Sequence, residues 1–429
     1  MTASATGLRA PHALPEGTDL ACELCGPDPY PAYHRLRRDY PVLETNGAVH
    51  VFGYDDVAAV LRHPLVSADD RTSALHRSLR ADGKLGPAYL SQLDDQSFLR
   101  RDPPGHTRLR KLAAAGFTPR RVEALRPFIQ RQVDRAVDAA APAGRLDLVA
   151  GLAWPLPIEV ICELLGIPGE DRPFVATWPR AQLCCSFESG SLKADSELAR
   201  SDPGGTRRAE ADRVQQQLTS YFAGLIERRR RDPGDDLVSA LIAATGGGQA
   251  TGGEINATLR LLFVAGYENV VNLIGHGTLA LLRHPGQWAQ LRDNPALAAG
   301  AVDEALRYDP PFQFTQRIAL ADLEVGGYRI ARGRHILLWL AAANRDPARF
   351  PDPDRFDIHR GGNHHIAFGA GIHACLGGPL ARMEAEIAFA TLARRLIEPR
   401  LESGPARYRT DVFRSLADLP VSFAGTREP

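Results

Sequence analysis

The stretch FGAGIHACLG, residues 368 to 377, surrounds one cysteine with glycines. Two glycines before Cys375, Gly369 and Gly371, allow the backbone to turn tightly and to approach a flat group without Cβ clashes. The cysteine falls at the start of a predicted helix, where free N–H groups and the positive end of the helix dipole would stabilise a thiolate and lower its pKa. A lone cysteine in a glycine-rich turn is more often an ordinary buried side chain. The complete pattern instead predicts a soft thiolate ligand suited to iron.

The remaining cysteines offer no competing site. Six cysteines in 429 residues do not indicate a disulfide framework. Cys22 and Cys25 form a CxxC without a second pair at zinc-finger spacing, so we interpret them as incidental thiols. Cys162 lies in an apolar run and is predicted to be a core residue. Cys184 and Cys185 are adjacent, which disfavours a mutual disulfide.

Composition and charge argue against a nucleic-acid-binding protein and against a membrane protein, although a local basic patch stays possible. The 51 basic residues balance the 51 acidic residues, so the overall charge gives no reason to expect nucleic acid as a partner. Residues 1 to 20 contain no apolar core of signal-peptide or anchor length. The longest apolar stretch, residues 259 to 282, is interrupted by polar residues such as Glu268 and Asn272, which a lipid-spanning helix would not carry. We therefore predict a cytoplasmic protein without a membrane segment.

Hydrophobic periodicity predicts a mostly α chain with a smaller β-rich part. From roughly residue 105 to residue 310, apolar residues recur mainly at i, i+3 and i+4, as in amphipathic helices. The first third mixes short helices with a strand, and after Pro310 short strands alternate with proline-rich irregular chain. A last helix is predicted from about Leu376 to Leu396. We expect one domain over residues 1 to 429, with residues 1 to 30 as a loop-like N-terminal segment.

A glycine-rich segment, TGGGQATGG at residues 245 to 253, could be mistaken for a nucleotide-binding loop. It lacks the GK[ST] ending of a P-loop, and no strand precedes it. We therefore predict a loop between two helices. Thr251 and Glu254 have the spacing of a capping box, which predicts that a long helix begins there.

The segment around Cys375 resembles the haem-binding loop of the cytochrome P450 family, whose soluble bacterial members share the pattern FGxGxHxCxG. The resemblance extends over almost the whole chain. It implies the cytochrome P450 fold, a helical domain with a small β-rich lobe near the N-terminus. It also implies haem b as cofactor, Cys375 as the axial ligand of the haem iron, and haem contacts from Phe368, Gly369 and Gly377.

A second motif is Glu304-Ala305-Leu306-Arg307, which resembles the family's ExxR. One helical turn places Glu304 and Arg307 on the same face. In the family an arginine of a proline-rich segment joins this pair, and the resemblance assigns that place to Arg355. An ExxR alone is usually a surface ion pair. Its position about seventy residues before Cys375 favours the structural motif.

Haem carries two propionates, which need cationic or hydrogen-bonding partners. The resemblance implies such partners at His106 and Arg110, one helical turn apart, at Arg317 in the strand after the ExxR helix, and at His373 in the cysteine loop. Each residue alone would more often be a solvated charge or a satisfied core histidine. Together, in the order of the family, they predict a propionate clamp.

The predicted long helix contains Ala265-Gly266-Tyr267-Glu268-Asn269, which resembles the oxygen-activation motif AGxET. Ala265 and Gly266 would let the helix pass close over the haem face. Glu268 retains the acid, whereas Asn269 replaces the threonine, and an amide is not an alcohol proton relay. Two roles of Asn269 stay open. It could hold a water that completes a proton path from Glu268, or it could bind an oxygen of the substrate.

The implied activity is that of a haem-thiolate monooxygenase, which inserts one oxygen atom from O2 into a small organic substrate by hydroxylation or epoxidation. The family further suggests secondary-metabolite biosynthesis, with a substrate that is free or bound to a carrier. One alternative keeps the haem but catalyses desaturation, coupling or rearrangement, which Asn269 leaves open. A non-catalytic partner protein of the same fold is the other alternative, and the intact cysteine loop argues against it.

The sequence shows no flavin, iron–sulfur or Rossmann pattern, so a ferredoxin and its NAD(P)H-dependent reductase are the expected electron donors. We expect the ferredoxin to dock on the face of the cysteine loop, near Arg108, Lys111 and Arg382. Four stretches are expected to face the substrate, namely residues 71 to 98, 178 to 205, 311 to 315 and 413 to 416. None of them identifies the substrate.

Overall fold

Helices form most of the chain in the computed structural model. The structure describes residues 8–13, 20–24, 26–45, 48–81, 97–178, 206–245, 250–402, 406–408 and 414–428. Its helices in chain order are α1 (Leu20–Leu24), α2 (Tyr30–Asp39), α3 (Tyr54–Arg62), α4 (Ala74–Ala81), α5 (Gly105–Gly116), α6 (Pro119–Ala124), α7 (Arg126–Ala140), α8 (Pro155–Leu165) and α9 (Arg172–Val175). They continue as α10 (Thr206–Arg231), α11 (Leu237–Ala244), α12 (Gly252–Ala265), α13 (Glu268–Arg283), α14 (Pro285–Asp293), α15 (Ala298–Tyr308), α16 (Leu340–Ala343) and α17 (Gly378–Arg395).

The strands are short and form small sheets. They are β1 (Val42–Thr45), β2 (Ala48–Val51), β3 (Val66–Ser67), β4 (Arg145–Asp147), β5 (Thr315–Ala319), β6 (Leu323–Val325), β7 (Tyr328–Ile330), β8 (His335–Leu338), β9 (Leu396–Ile397), β10 (Arg400–Leu401), β11 (Pro420–Ser422) and β12 (Gly425–Thr426). The largest sheet has the order β1-β2-β8-β5-β3. Only its β2–β8 pair is parallel, with Val51 opposite Leu338. This sheet joins the N-terminal strands to those after α15, so the predicted β-rich lobe is built from both ends of the chain.

The core that supports the site is a group of packed helices. Helix α13 packs on α15 and α17, and α17 also packs on α7 and α15. Close approach of α13 and α17 depends on Gly277, because a Cβ there would lie 2.1 Å from Cζ of the fully buried Phe389. The α15 helix carries Glu304 and Arg307, and α17 follows Cys375 directly. The same helix packing therefore fixes both motifs relative to each other.

The predicted long helix is divided in two. It begins as expected at a capping box, in which Thr251 Oγ1 accepts the Glu254 N–H at 3.2 Å and Glu254 Oε2 accepts the Thr251 N–H at 2.9 Å. Helix α12 ends at Ala265, however, and α13 begins only at Glu268. A Cβ at Gly266 would lie 2.8 Å from the Leu262 carbonyl oxygen, so the helix turns at a residue where only glycine leaves room.

The N-terminal segment is less loop-like than expected. Residues Leu20–Leu24 form α1, and Arg9 and His12 make β-bridges to Tyr328 and Leu43. The prediction of a loop over residues 1 to 30 is therefore wrong for this described part, because backbone pairing to two strands holds it. Among the described residues, no helix is long and apolar enough to cross a membrane.

Candidate active site

The cysteine loop turns through backbone conformations that favour glycine. Gly369 and Gly371 have φ of 67° and 71°, in the left-handed region. A Cβ at Gly371 would also lie 2.5 Å from the carbonyl oxygen of Leu61 at the end of α3. The Cys375 N–H donates to the Phe368 carbonyl oxygen at 2.9 Å and closes the loop. Substitution of Gly371 would therefore strain the backbone and also push the loop away from α3.

The Cys375 thiol lies deep in the protein but is open to a cavity on one side. Burial raises the pKa of this thiol, and the backbone N–H groups of Gly377 and Gly378 at the start of α17, with Arg110, lower it by less. The helix start therefore lowers the pKa as expected, but burial outweighs it, and the net pKa of the free thiol is raised rather than lowered. A coordinated metal ion deprotonates a thiol outright, so this burial does not exclude ligation.

One cavity of about 420 Å³ brings together most of the predicted site residues. The cysteine loop contributes Cys375 with Phe368, Gly369, His373 and Gly377. The break between α12 and α13 contributes Ala265, Gly266, Glu268 and Asn269, and the cations Arg110 and Arg317 complete this set. His106 is not part of the lining, but its ring centroid lies 4.3 Å from that of His373. The predicted propionate partners are therefore neighbours in space.

Arg110 and Arg317 have no acidic partner in the part of the chain that the structure describes. Arg110 donates to the Ala374 carbonyl oxygen, and Arg317 donates to that of Gln316 at 2.7 Å. No described carboxylate lies within 4.0 Å of either guanidinium. Burial lowers the pKa of Arg317 to about 10, an effect that a bound anion would oppose.

The two histidines of the set place buried ring nitrogens at the same cluster. Both ring nitrogens of His106 and Nε2 of His373 are buried without a side-chain hydrogen-bond partner among the described residues, and the backbone of Ile372 lies next to His106. Burial and the nearby arginines lower the pKa of His373 to about 3 and lower that of His106. Buried imidazole nitrogens beside two guanidiniums that have no described acidic partner are suited to an anionic group. The residues present therefore fit a haem whose two propionates lie at this cluster and whose iron faces Cys375.

The acid and amide at the helix break differ in their surroundings. Glu268 is buried, and Ser415 Oγ donates to its Oε1 at 3.4 Å. Asn269 Nδ2 donates to the Ala265 carbonyl oxygen at 3.5 Å, across the break between the two helices. Asn269 Oδ1 is buried without a hydrogen-bond partner among the described residues. An acceptor at the cavity is thus left for a water or a substrate hydroxyl.

The ExxR pair is a buried ion pair. Arg307 donates to both carboxylate oxygens of Glu304 at 2.8 Å, and both side chains are fully buried. We expected the side chain of Arg355 to join them, and this expectation is wrong. Arg355 is 68% exposed and contributes only its carbonyl oxygen, at 3.0 Å from Arg307. Arg360 takes the expected place and donates to both Glu304 oxygens at 3.2 Å.

The sequence analysis also missed a carboxyl group at the cavity. Glu384 on α17 lines the cavity and is buried, and burial raises its pKa well above the usual value. Its Oε2 has no partner in the described chain. The sequence carried a signal for this residue. Glu384 follows Leu376 and Leu380 at steps of four residues, which places the three on one face of the predicted last helix, and both leucines line the cavity.

The expected substrate-facing stretches are tested only in part. Phe98, Pro311, Phe312 and Thr315 line the cavity. Residues 82–96, 179–205 and 409–413 lie outside the described residues, as do Cys25, Cys184 and Cys185. Residues 414–416 do not line the cavity but pack against α13, where a Cβ at Gly275 would lie 3.2 Å from Leu416. For these three residues the prediction of direct substrate contact is wrong.

The comparisons with known proteins agree with this site. The family model described as Cytochrome P450 matches residues 196 to 397. The cytochrome P450 monooxygenase PikC of Streptomyces venezuelae is 41% identical over 94% of this chain and 92% of its own. The polyketide biosynthesis cytochrome P450 PksS of Bacillus subtilis is 35% identical over 92% of this chain and 96% of its own. A crystal structure of P450BioI with an acyl carrier protein superposes with a TM-score of 0.82 and 35% identity, over 94% of this chain and 99% of that one.

The fold and the thiolate cavity define a haem-thiolate oxidoreductase, with iron protoporphyrin IX as cofactor. The chain belongs to the cytochrome P450 family and is a monooxygenase of the bacterial type.

Proposed function

We propose that this protein inserts one oxygen atom from O2 into a small organic substrate by hydroxylation or epoxidation. The observation that carries the proposal is the single cavity in which Cys375 and the Ala265–Asn269 segment meet. Haem ligated by a thiolate supplies the activation of dioxygen, since the thiolate favours O–O cleavage. The chain itself must then orient the substrate, deliver protons and keep water out.

Each of these tasks has a candidate among the lining residues. We assign Arg110, Arg317, His106 and His373 to the propionates, because they are cationic or donor groups without a described acidic partner. Ala265 and Gly266 present little side chain at the helix break, which leaves room above the cofactor. Other lining residues, such as Phe117, Ile161 and Leu261, are apolar and suit an apolar substrate.

A test of the reaction class begins by finding the substrate. Compounds are screened for a shift in haem spin state, and a compound that binds is turned over under ¹⁸O-labelled dioxygen. Incorporation of one labelled atom into the product supports monooxygenation. An unlabelled product with fewer hydrogens or a new bond would support the alternative of desaturation, coupling or rearrangement. Asn269 in place of an alcohol is the observation that favours this alternative.

The substrate class we propose is a secondary metabolite, either free or bound to a carrier. The relative PksS is described as acting in polyketide biosynthesis. P450BioI was crystallised with an acyl carrier protein that carries a hexadecenoic acid. The cavity of this chain is lined mostly by apolar side chains, in agreement with an acyl or polyketide chain. Binding of free and carrier-bound forms of the same acyl chain would separate the two possibilities.

Asn269 is expected to orient the substrate. Its unpaired Oδ1 at the cavity can accept a hydrogen bond from a substrate hydroxyl, and small misplacement of a substrate can lower the rate by about a hundredfold. Asn269→Thr should therefore keep oxygen activation but weaken substrate affinity and give several products. Asn269→Ala should in addition release more hydrogen peroxide. The measurements are substrate dissociation constants, product ratios and peroxide per NADH.

The contrary result for Asn269 is equally clear. If Asn269→Thr binds substrate as tightly as wild type, gives the same single product and turns over faster, then Asn269 only replaces a proton relay. Glu268→Gln is the reference variant, since it should slow turnover in either case.

We propose that electrons come from a ferredoxin and its NAD(P)H-dependent reductase. Ile372 of the cysteine loop is 51% exposed, and Lys111, the next residue after the loop-contacting Arg110, is also exposed. The other two expected docking cations already have acidic partners, Arg108 in Glu254 and Arg382 in Asp303 at 3.0 Å. Lys111 is therefore the cation of the three that is most available to an acidic ferredoxin.

The docking prediction is that Lys111→Glu slows reduction by the ferredoxin by roughly tenfold at low salt and weakens its salt dependence. Arg108→Glu and Arg382→Glu should have smaller effects. Stopped-flow reduction kinetics under carbon monoxide measure these effects. Arg400→Glu is the control, because it reverses the charge of an exposed arginine on β10, in a sheet that does not include the cysteine loop. Equal rates for wild type and Lys111→Glu would place the docking surface elsewhere.

A further inference from the structure

Helix α13 carries three polar residues on one face against the C-terminal segment, which we define as residues 414–416. Glu268, Asn272 and His276 are spaced by four residues and therefore share that face. Their exposed fractions are 6%, 2% and 2%, and those of Arg414 and Ser415 are 4% and 0%. Buried polar side chains of this kind are stable only when they are hydrogen-bonded to one another. The face is thus a polar contact that begins at the cavity with Glu268.

The hydrogen bonds of this contact run in one direction, from Asn272 through Ser415 to Glu268. Asn272 Nδ2 donates to Ser415 Oγ at 3.2 Å, and Ser415 Oγ lies 3.4 Å from Glu268 Oε1. An amide NH2 group can only donate, so the serine oxygen accepts from Asn272, and the Ser415 hydroxyl donates to the carboxylate. Ser415 therefore holds one oxygen of Glu268, through a bond that is long here and can shorten when the site is occupied.

The backbone that presents Ser415 is held from several sides. Arg414 has φ of 48°, an unfavourable conformation for a residue with a side chain, which persists only where the surroundings impose it. Its Nη1 donates to Asp309 Oδ1 at 2.6 Å, and Tyr30 OH donates to the same oxygen at 2.7 Å. The Arg414 carbonyl oxygen lies 3.1 Å from His276 Nε2. Three elements, α2, α13 and the end of α15, thus fix the position of this segment.

The charges around Arg414 support this anchoring. Burial alone would lower the pKa of Arg414, but Asp309 and the neighbouring tyrosines more than offset it, so the pKa is raised. Burial raises the pKa of Asp309, but Arg414, His276, Tyr30 and Arg345 together outweigh it, and the pKa is lowered. The pair is therefore ionised over the whole physiological range, and the anchor does not loosen with pH.

We infer that Ser415 is a positioning residue for Glu268, and that the Arg414–Asp309 pair fixes Ser415 in the place where it does this. The inference rests on the proposed function, in which Glu268 takes part in proton delivery at the cavity. Ser415 is not among the residues that line the cavity. It restricts the Glu268 carboxylate to one orientation, so that a proton held there is delivered at one position.

The test uses haem-loaded protein and no substrate. Carbon monoxide bound to the reduced protein reports on polar groups at the cavity through its C–O stretching band. Ser415→Ala should keep the haem content and the thermal midpoint but shift or split this band, because Glu268 gains a second orientation. With a surrogate ferredoxin and reductase, the hydrogen peroxide released per NADH should rise at the expense of the four-electron reduction of O2 to water, and the solvent deuterium isotope effect on NADH oxidation should change.

Conservative and matched variants distinguish positioning from simple packing. Ser415→Thr restores the hydroxyl and should return both the C–O band and the peroxide yield to wild type. Ser239→Ala removes another buried serine hydroxyl, on α11, and should change neither. In a Glu268→Gln background, Ser415→Ala should add no further effect, since the group that Ser415 positions is already changed.

The outcomes separate this inference from the function on which it rests. If Ser415→Ala leaves the C–O band and the peroxide yield at wild-type values while Glu268→Gln changes both, the inference is overturned and the role of Glu268 stands. If Glu268→Gln itself changes neither, the proposed role of Glu268 fails first. Should Ser415→Ala lose haem, Asn272→Ala decides, because loss of the donor to Ser415 must then raise the peroxide yield in the same direction.

Discussion

Replacement of Cys375 by alanine is expected to abolish the red-shifted Soret band of the reduced carbon monoxide complex, which requires a thiolate ligand. Cys375 lies just before α17 and opens onto the cavity. No other described cysteine lines this cavity. No other described cysteine can take its place, since Cys162 is buried in the core, where burial raises its pKa to about 12. Monooxygenase activity should be lost completely.

The control for Cys375→Ala is Cys162→Ala, which removes a thiol of the same kind from a site without a ligand role. This variant should keep the spectrum, with a loss of stability of about 1 kcal/mol for the missing sulfur contacts. Difference spectra and pyridine haemochrome assays measure both variants. A red-shifted band that persists in Cys375→Ala would show that the ligand assignment is wrong.

The second large effect is expected at the buried ion pair of α15. Glu304→Ala leaves the buried Arg307 guanidinium without a carboxylate, and Arg307→Ala leaves Glu304 with Arg360 as its remaining cation. Breaking such a buried pair costs about 3–5 kcal/mol in the free energy of unfolding, and Glu304→Ala should have the larger effect. That is a large part of the stability of an ordinary domain. Both variants should therefore give little haem-loaded protein. Yield, haem content and the midpoint of chemical unfolding measure this.

Two arginines of the neighbouring segment provide a matched comparison for this pair. Arg360 donates to both oxygens of Glu304, whereas the Arg355 side chain is exposed and only its carbonyl oxygen is used. Arg360→Ala should lower stability and haem content clearly, and Arg355→Ala should change neither by a measurable amount. Equal effects of the two substitutions would contradict the arrangement described here.

Much of the candidate site could be predicted because its motifs are local. The positive φ of Gly369 and Gly371 and the capping box at Thr251 and Glu254 depend on residues a few positions apart. The Glu304–Arg307 pair likewise needs only one helical turn. Such features follow from backbone conformation and side-chain spacing, which the sequence contains directly. The roles of these residues toward haem came from the resemblance to the family and remain predictions.

The predictions that were wrong concern contacts between distant segments. Arg355 and Arg360 are both plausible third partners of Glu304, and only the path of the chain after α16 decides that the guanidinium of Arg360 reaches it. The pKa of the Cys375 thiol was expected to be lowered by the helix start, but burial by surrounding segments has the larger effect. The spacing of residues along the sequence tells neither how far apart two distant segments lie in the fold nor how deeply a side chain is buried.

The sequence by itself determined the mostly α character, the tight cysteine loop, the one-turn spacing of Glu304 and Arg307 and the polar residues within the apolar stretch of residues 259 to 282, because each is encoded in periodicity or in a short motif. Only the tertiary structure decided that the helix breaks at Gly266, that Arg360 completes the ion pair, and that Arg414 and Ser415 contact α13 rather than the substrate cavity. The physical reason is that these features depend on packing between segments far apart in the chain, where burial and hydrogen-bond satisfaction select one partner among several.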